Sequence, residues 1–176
     1  MPKDFIISCI KKFDAPVGNL LFADNKFETW SGSGKSQRHH YGKYGLIKHT
    51  SEVIELALAC NKTISANLNE RELFLACLFH DVGKIYDYEP IDSHFATWRE
   101  TDHKKKIHHV SRSALIWNQL AIENKETQQT IDNVLHAILA HHGSREWGSP
   151  VTPLTKLAYM LHLCDGISAR MDDAEN

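Results

Sequence analysis

Leu73-Phe74-Leu75-Ala76-Cys77-Leu78-Phe79-His80-Asp81-Val82-Gly83-Lys84 is an apolar helical run that closes on a histidine, an aspartate, a glycine and a lysine. Positions 73, 76 and 77 are apolar and share a helical face with His80, and Cys77 stands one turn before Asp81. His80 and Asp81 therefore emerge beside a buried stripe. An unpaired carboxylate carried into an interior costs several kcal/mol or takes up a proton. A divalent cation removes that cost. The plainer alternative, His80 capping the helix while Asp81 meets a lysine, is weighed against the remaining chain.

Working outward, Leu46–Asn61 reads as an amphipathic helix with apolar positions 46, 47, 53, 54, 57 and 58, and His49 lies on its buried side. Glu70 to Lys84 is the next helix, with Asn69 as N-cap and Gly83 loosening its end. Polar and aromatic residues from Ile85 to Lys106 read as a solvated loop. Ile107–Ala121 resumes the helical period with His109 near its start, and Thr127–His142 follows with Ile131, Val134, Leu135, Ile138 and Leu139 as its stripe. His141 and His142 continue that stripe, and Gly143 stops the helix. A last helix, Pro153–Arg170, buries Leu154, Leu157, Ala158, Leu161 and Cys164, with Asp165 one turn beyond Leu161; the tail Met171–Asn176 is expected to fray.

Upstream, a short helix near Asp4–Phe13 precedes a loop or small hairpin around Val17–Trp30. Ser31-Gly32-Ser33-Gly34-Lys35-Ser36 lacks the G-x-x-x-x-G-K spacing of a phosphate-binding loop and any buried strand before it, so it is read as a flexible loop. No alternating strand pattern or repeat stands out. The expected fold is all-α, a bundle of five or more core helices.

The 176 residues suit one domain with its own core, and a net charge of −2 gives no overall pull toward nucleic acid or anionic membrane. Four widely spaced cysteines without a C-x-x-C pair read as reduced thiols. With neither a signal peptide nor a membrane span in the sequence, the expected location is cytoplasmic. Twelve histidines are the unusual count, and their placement decides the reading. Five helices deliver His49, His80-Asp81, His109, His141-His142 and Asp165 at the edge or end of apolar stripes. Imidazoles mixed with carboxylates and no thiolate favour Mn, Fe, Co, Ni or Mg over a structural zinc cluster.

His49, then His80-Asp81, then Asp165 resembles the pattern of the HD superfamily of metal-dependent phosphohydrolases, an all-α fold; the added His109, His141 and His142 resemble its two-metal subset. The stretches His39–Thr50, Phe79–Lys84 and His141–Pro150 are similar to the catalytic domain of the YhaM-type 3′–5′ exoribonucleases, over about Phe27 to Met171. The resemblance implies residues 31–176 as the HD domain and residues 1–30 as an N-terminal extension packed on it. Those exonucleases carry an N-terminal OB-type module, which 30 leading residues are too few to make, so the expected substrate is a nucleotide or short single-stranded nucleic acid.

Carried over residue by residue, the resemblance implies one metal on His49, His80, Asp81 and Asp165 and a second on Asp81, His109, His141 and His142, with Asp81 bridging. Two such cations roughly 3.5–4 Å apart, manganese first among them, would yield a metal-bound hydroxide that attacks a phosphoester. Lys84, one turn after Asp81, is expected to steady phosphate charge; Arg145 and Trp147 to clamp a phosphate and stack on a base; His39 and His40 to contact phosphate or the ligands. Trp147 has a core anchor as its alternative, and His108 could exchange roles with His109. Two rival functions stand beside this one: a di-iron oxygenase of the same ligand type, and a non-catalytic nucleotide-binding regulatory module.

Overall fold

A computed structural model describes residues 1–36 and 38–173. Its helices are α1 (Pro2–Lys12), α2 (Lys26–Thr29), α3 (Gly45–Thr63), α4 (Glu70–Phe79), α5 (Lys84–Asp87), α6 (Asp102–Lys106), α7 (His109–Glu123), α8 (Gln128–Ala140) and α9 (Lys156–Asp173). A two-stranded antiparallel hairpin, β1 (Tyr88–Pro90) and β2 (Trp98–Glu100), is set between α5 and α6. The protein is all-α in class, the hairpin being its one sheet among the described residues.

α4 is the axis of the bundle. All seven residues from Leu73 to Phe79 are buried, so the helix is apolar on every side rather than along the single stripe that the sequence suggests. α3 and α8 pack along it, α9 closes against α3 and α8, and α7 pairs with α8. Each large side chain removed from water contributes on the order of 2 kcal/mol, which offsets the polar groups the same bundle buries at one end. Trp117 of α7 is fully buried against Phe79 at 5.2 Å between rings, and its indole N–H donates to Ile131 O at 3.0 Å. Asn69 caps α4 as expected, its side chain accepting from the amides of Arg71 and Glu72 at 3.0 and 3.1 Å.

The N-terminal residues enter the same core: Ile6, Cys9 and Ile10 of α1 and Phe27 of α2 join the cluster built on α3 and α4. The expected loop or hairpin at Val17–Trp30 is instead a 3₁₀ helix, Pro16–Phe22, followed by α2. Pro16 presets the helical φ at its first turn, a stronger local cue than the turn residues around it.

Three further differences have local causes. The solvated loop expected over Ile85–Lys106 holds α5, the hairpin and α6. Strands of three residues are too short to show alternation; what orders them is Trp98, packed on Trp30 and Phe95 at 5.1 and 5.8 Å, and the Asp92 carboxylate, which accepts from the amides of His94, Ala96 and Thr97. α9 starts at Lys156 rather than Pro153, leaving Leu154 79% exposed instead of buried. It also runs past Met171 to Asp173, and the rest of the expected tail, residues 174–176, lies outside the described residues. Finally, α4 ends at Phe79, so the His80–Gly83 segment is a turn between α4 and α5, and Lys84 opens α5.

Candidate metal centre

That turn places Asp81 at the meeting point of the bundle's ends. His80 and Asp81 are buried, and Gly83 lies against the first turn of α7, its N–H donating to Ser113 Oγ at 2.9 Å. A Cβ at Gly83 would stand 2.4 Å from His109 O and 2.9 Å from Ser113 N. The glycine is there for this close approach, not to loosen a helix end, and it brings His109 onto Asp81.

Two donor groups form on either side of the Asp81 carboxylate. On its Oδ2 side, His49 Nε2 and His80 Nε2 each lie at 3.4 Å, and Asp165 Oδ1 is 3.0 Å from His49 Nε2 and 3.7 Å from His80 Nε2. On its Oδ1 side, His109 Nε2 is at 3.4 Å and His141 Nε2 at 3.6 Å, with His142 Nε2 3.3 Å from His109 Nε2. The sequence's seven candidate ligands thus converge as two groups, His49-His80-Asp81-Asp165 and His109-His141-His142, each compact enough for one ion.

The outward nitrogens of all five imidazoles are spoken for. Nδ1 of His80, His141 and His142 faces the carbonyls of Cys77, Ile138 and Trp147 at 2.7, 2.6 and 3.1 Å. His109 Nδ1 faces Asp87 Oδ2 at 3.0 Å, which also accepts from His109 N. His49 Nδ1 faces Ser168 Oγ at 3.0 Å, and that hydroxyl donates onward to Glu52 Oε2 at 2.8 Å. Carbonyls and carboxylates only accept, so Nδ1 carries a proton, and each Nε2, once free of any proton of its own, turns a lone pair to the centre. The buried Asp81 Oδ1, Asp81 Oδ2 and His141 Nε2 have no hydrogen-bond partner. Divalent cations fit this donor set: nitrogen and carboxylate lone pairs converge with too few protons between them.

Electrostatics separates the two groups. Burial works against the charged form of His80, yet Asp81 and Asp165 override it and raise its pKa to about 10. Burial lowers His109 to about 4 despite Asp87, and lowers His142 to about 2, helped by its neighbours His141 and His109. Burial opposes the ionised forms of Asp81 and Asp165 too. Lys84 and His80 nonetheless hold Asp81 well below the carboxylate range, and hydrogen bonds from His49 and His80 do the same for Asp165.

Lys84 is buried, and its Nζ lies 2.6 Å from Asp81 Oδ2. The contact is an ion pair between a buried ammonium and a buried carboxylate. Burial opposes the ammonium, but Asp81 outweighs it and raises the Lys84 pKa.

A cleft of about 730 Å³ opens onto the centre, bounded by Arg38, His39, Lys84, His142, Trp147 and the α9 residues Leu163, Ile167, Arg170 and Met171, among others. Trp147 is 62% exposed and stacks on His162, which excludes the core-anchor alternative. Arg145 is exposed and outside the cleft lining; two steps apart on a 3₁₀ turn, it and Trp147 cannot face the same way. His39 lines the cleft, whereas His40 is buried and pairs through Nε2 with Glu52 at 2.9 Å. His108 is half-buried beside His109, 4.1 Å between rings, and forms a third donor group with Asp87 and His109, whereas His109 Nε2 is the nitrogen that faces Asp81.

Sequence reasoning missed Asp87, Ser168, Glu52 and Arg38. Asp87 had a legible trace, a carboxylate six residues after Asp81 inside the short stretch Ile85–Tyr88.

The fold and this site define an HD-type helical metal protein. The chain belongs to the HD domain family, a class of metal-dependent hydrolases: the family model described as HD domain matches residues 46–170. It is also 31% identical over 141 residues to a protein of Oceanobacillus iheyensis named 3′-5′ exoribonuclease YhaM, covering 78% of this chain and 42% of that protein. The chain thus spans less than half of that relative's length. No solved structure matches the chain. No helix among the described residues is long and apolar enough to cross a membrane.

Proposed function

We propose that the chain is a metal-dependent phosphodiesterase that cleaves a phosphoester of a nucleotide or single-stranded nucleic acid, with two divalent cations, manganese first among them. The observation that carries this reading is Asp81, which turns one carboxylate oxygen to each of two donor groups. His49, His80 and Asp165 would hold one ion, His109, His141 and His142 the other, and Asp81 both. Such a pair, when bound, supplies Lewis acidity toward the phosphoryl oxygens and lowers the pKa of water.

The remaining work falls to the chain's own groups. The Nδ1 contacts fix each imidazole's tautomer and orientation, so the donors need not reorganise. Lys84, charged and buried beside Asp81, is placed to offset negative charge on the phosphoryl group, with Arg38 and Arg170 at the cleft wall. Trp147 with Leu163, Ile167 and Met171 forms an apolar wall where a base can stack. HD family membership and the similarity to the exoribonuclease support the chemistry, and four free thiols accord with a reducing, cytoplasmic setting.

The test is a panel of bis-p-nitrophenyl phosphate, short RNA, short DNA and nucleoside mono- and triphosphates against Mn, Co, Fe, Ni and Mg, with Asp81→Ala as the blank. Diester hydrolysis above that blank is expected. Oxygen consumption by the iron form without hydrolysis, or no turnover of any kind, would overturn the proposal.

A further inference from the structure

Arg38 lines not one cleft but two. On its far side a groove of about 640 Å³ is walled by Lys3, Tyr41, Lys43, Tyr44 and Lys48 among others, and nothing in the phosphoester reading uses it. We infer that this groove holds the continuation of a single-stranded nucleic acid whose scissile diester sits at the Asp81 centre. The inference rests on the function proposed above and narrows it, from any nucleotide phosphoester to a strand that extends beyond the cleft.

Charge is the first argument. Among the described residues that line the groove, Lys3, Arg38, Lys43 and Lys48 face one acid, Glu28, which pairs with Lys3 at 2.5 Å, while Lys48 Nζ lies 3.8 Å from Glu52 Oε1, outside the lining. A chain whose net charge is −2 concentrates positive charge here, beside a phosphoester site.

Aromatic surface is the second. Tyr44 is 48% exposed, and Lys43 Nζ lies 5.0 Å from its ring and 5.6 Å from that of Phe95. Tyr44 sits at φ +68, a left-handed conformation a tyrosine rarely adopts, although glycines occur at 42 and 45 beside it. A large ring held at that cost, in the open, at the start of α3 is the kind of platform on which bases stack without sequence preference.

Continuity is the third. Besides the shared Arg38, His40 on the groove wall reaches Glu52 at 2.9 Å, Glu52 accepts from Ser168 at 2.8 Å, and Ser168 meets His49 of the centre at 3.0 Å. Groove and centre share one wall of the bundle. A mononucleotide would need only the first cleft, whereas a strand has further phosphates and bases to place in the second.

The experiment compares wild type with Lys43→Glu and Tyr44→Gly, the latter removing the ring while relieving its backbone. Manganese-loaded protein is titrated with a fluorescent phosphorothioate decamer, which resists cleavage, and its turnover of bis-p-nitrophenyl phosphate is measured separately. Each variant should weaken decamer binding about tenfold and leave turnover of the small diester unchanged. Unaltered decamer affinity in both variants would overturn the inference, as would equal losses on decamer and small diester. So would Lys43-dependent binding of a glutamate decapeptide or of phosphatidylserine vesicles in place of the oligonucleotide. Failure of wild type to hydrolyse any diester would sink the phosphodiesterase reading instead, and the binding titration distinguishes the two.

Discussion

The two halves of the centre share Asp81 and differ in almost everything else. One is rich in carboxylate, with Asp165 beside His49 and His80; the other adds three imidazoles and no further acid. Both are buried, yet His80 is raised to about 10 while His109 and His142 fall to about 4 and 2. Burial acts alike on all three histidines, so the difference comes from which partners stand within reach. At His80, Asp81 and Asp165 together outweigh desolvation; at His109, Asp87 and Asp81 do not, with Lys84 and His108 working against them, and at His142 the neighbouring His141 and His109 add to it.

The most damaging way to probe this comparison is to remove what the halves share. Asp81→Ala should strip both ions and lower turnover of bis-p-nitrophenyl phosphate by about a thousandfold or more. Metal analysis after dialysis checks it, and wild-type metal content in that variant would contradict the shared carboxylate. Next, Lys84→Met should cost on the order of a hundredfold in kcat with both ions retained. Loss of an ion along with the rate would instead make Lys84 a support for Asp81.

Asp87→Asn sharpens the contrast, because Asp87 touches only the histidine-rich side, through His109. It should weaken one ion about 10- to 100-fold and spare the other, measured as Mn affinities by calorimetry. Equal weakening of both would mean the halves are not separable.

Per pH unit, the mildest expected effect is the pH dependence. His80, with its pKa raised, keeps a proton that an entering cation must displace, so affinity at the carboxylate-rich half should climb, by at most about tenfold per unit, from near pH 6.5 toward 10. By the same sign, His80's contribution to stability is full below 6.5 and lost as the pH rises through about 10. His109 and His142, with lowered values, are neutral well below pH 6, so these two add no slope to the other half from about pH 6 to 8. Titrations on Asp165→Ala and His142→Ala, each expected to keep one ion, separate the two curves; parallel slopes would contradict the assignment.

Where side chains follow one another along a helix, the sequence was readable. The α4 run, the Asn69 cap, the stripe ending in His141 and His142, and the placement of His49 on a buried face all follow from a period of 3.6 residues and the chemistry of helix ends. What escaped were features set by distant partners: the hairpin ordered by Trp98 on Trp30, the exposure of Leu154, and Asp87 under His109.

By itself, then, the chain's order of residues determined that several helices end in metal-binding types, since those ends are local. Only the packed bundle decided that Asp81 divides its two oxygens between two groups, that the outward nitrogen of each of the centre's five imidazoles finds an acceptor, and that Arg145 stands apart while Arg38 joins two grooves. The reason is that burial and partnership, which set proton affinity and lone-pair direction, are properties of neighbours in space, and periodicity names only neighbours along a helix.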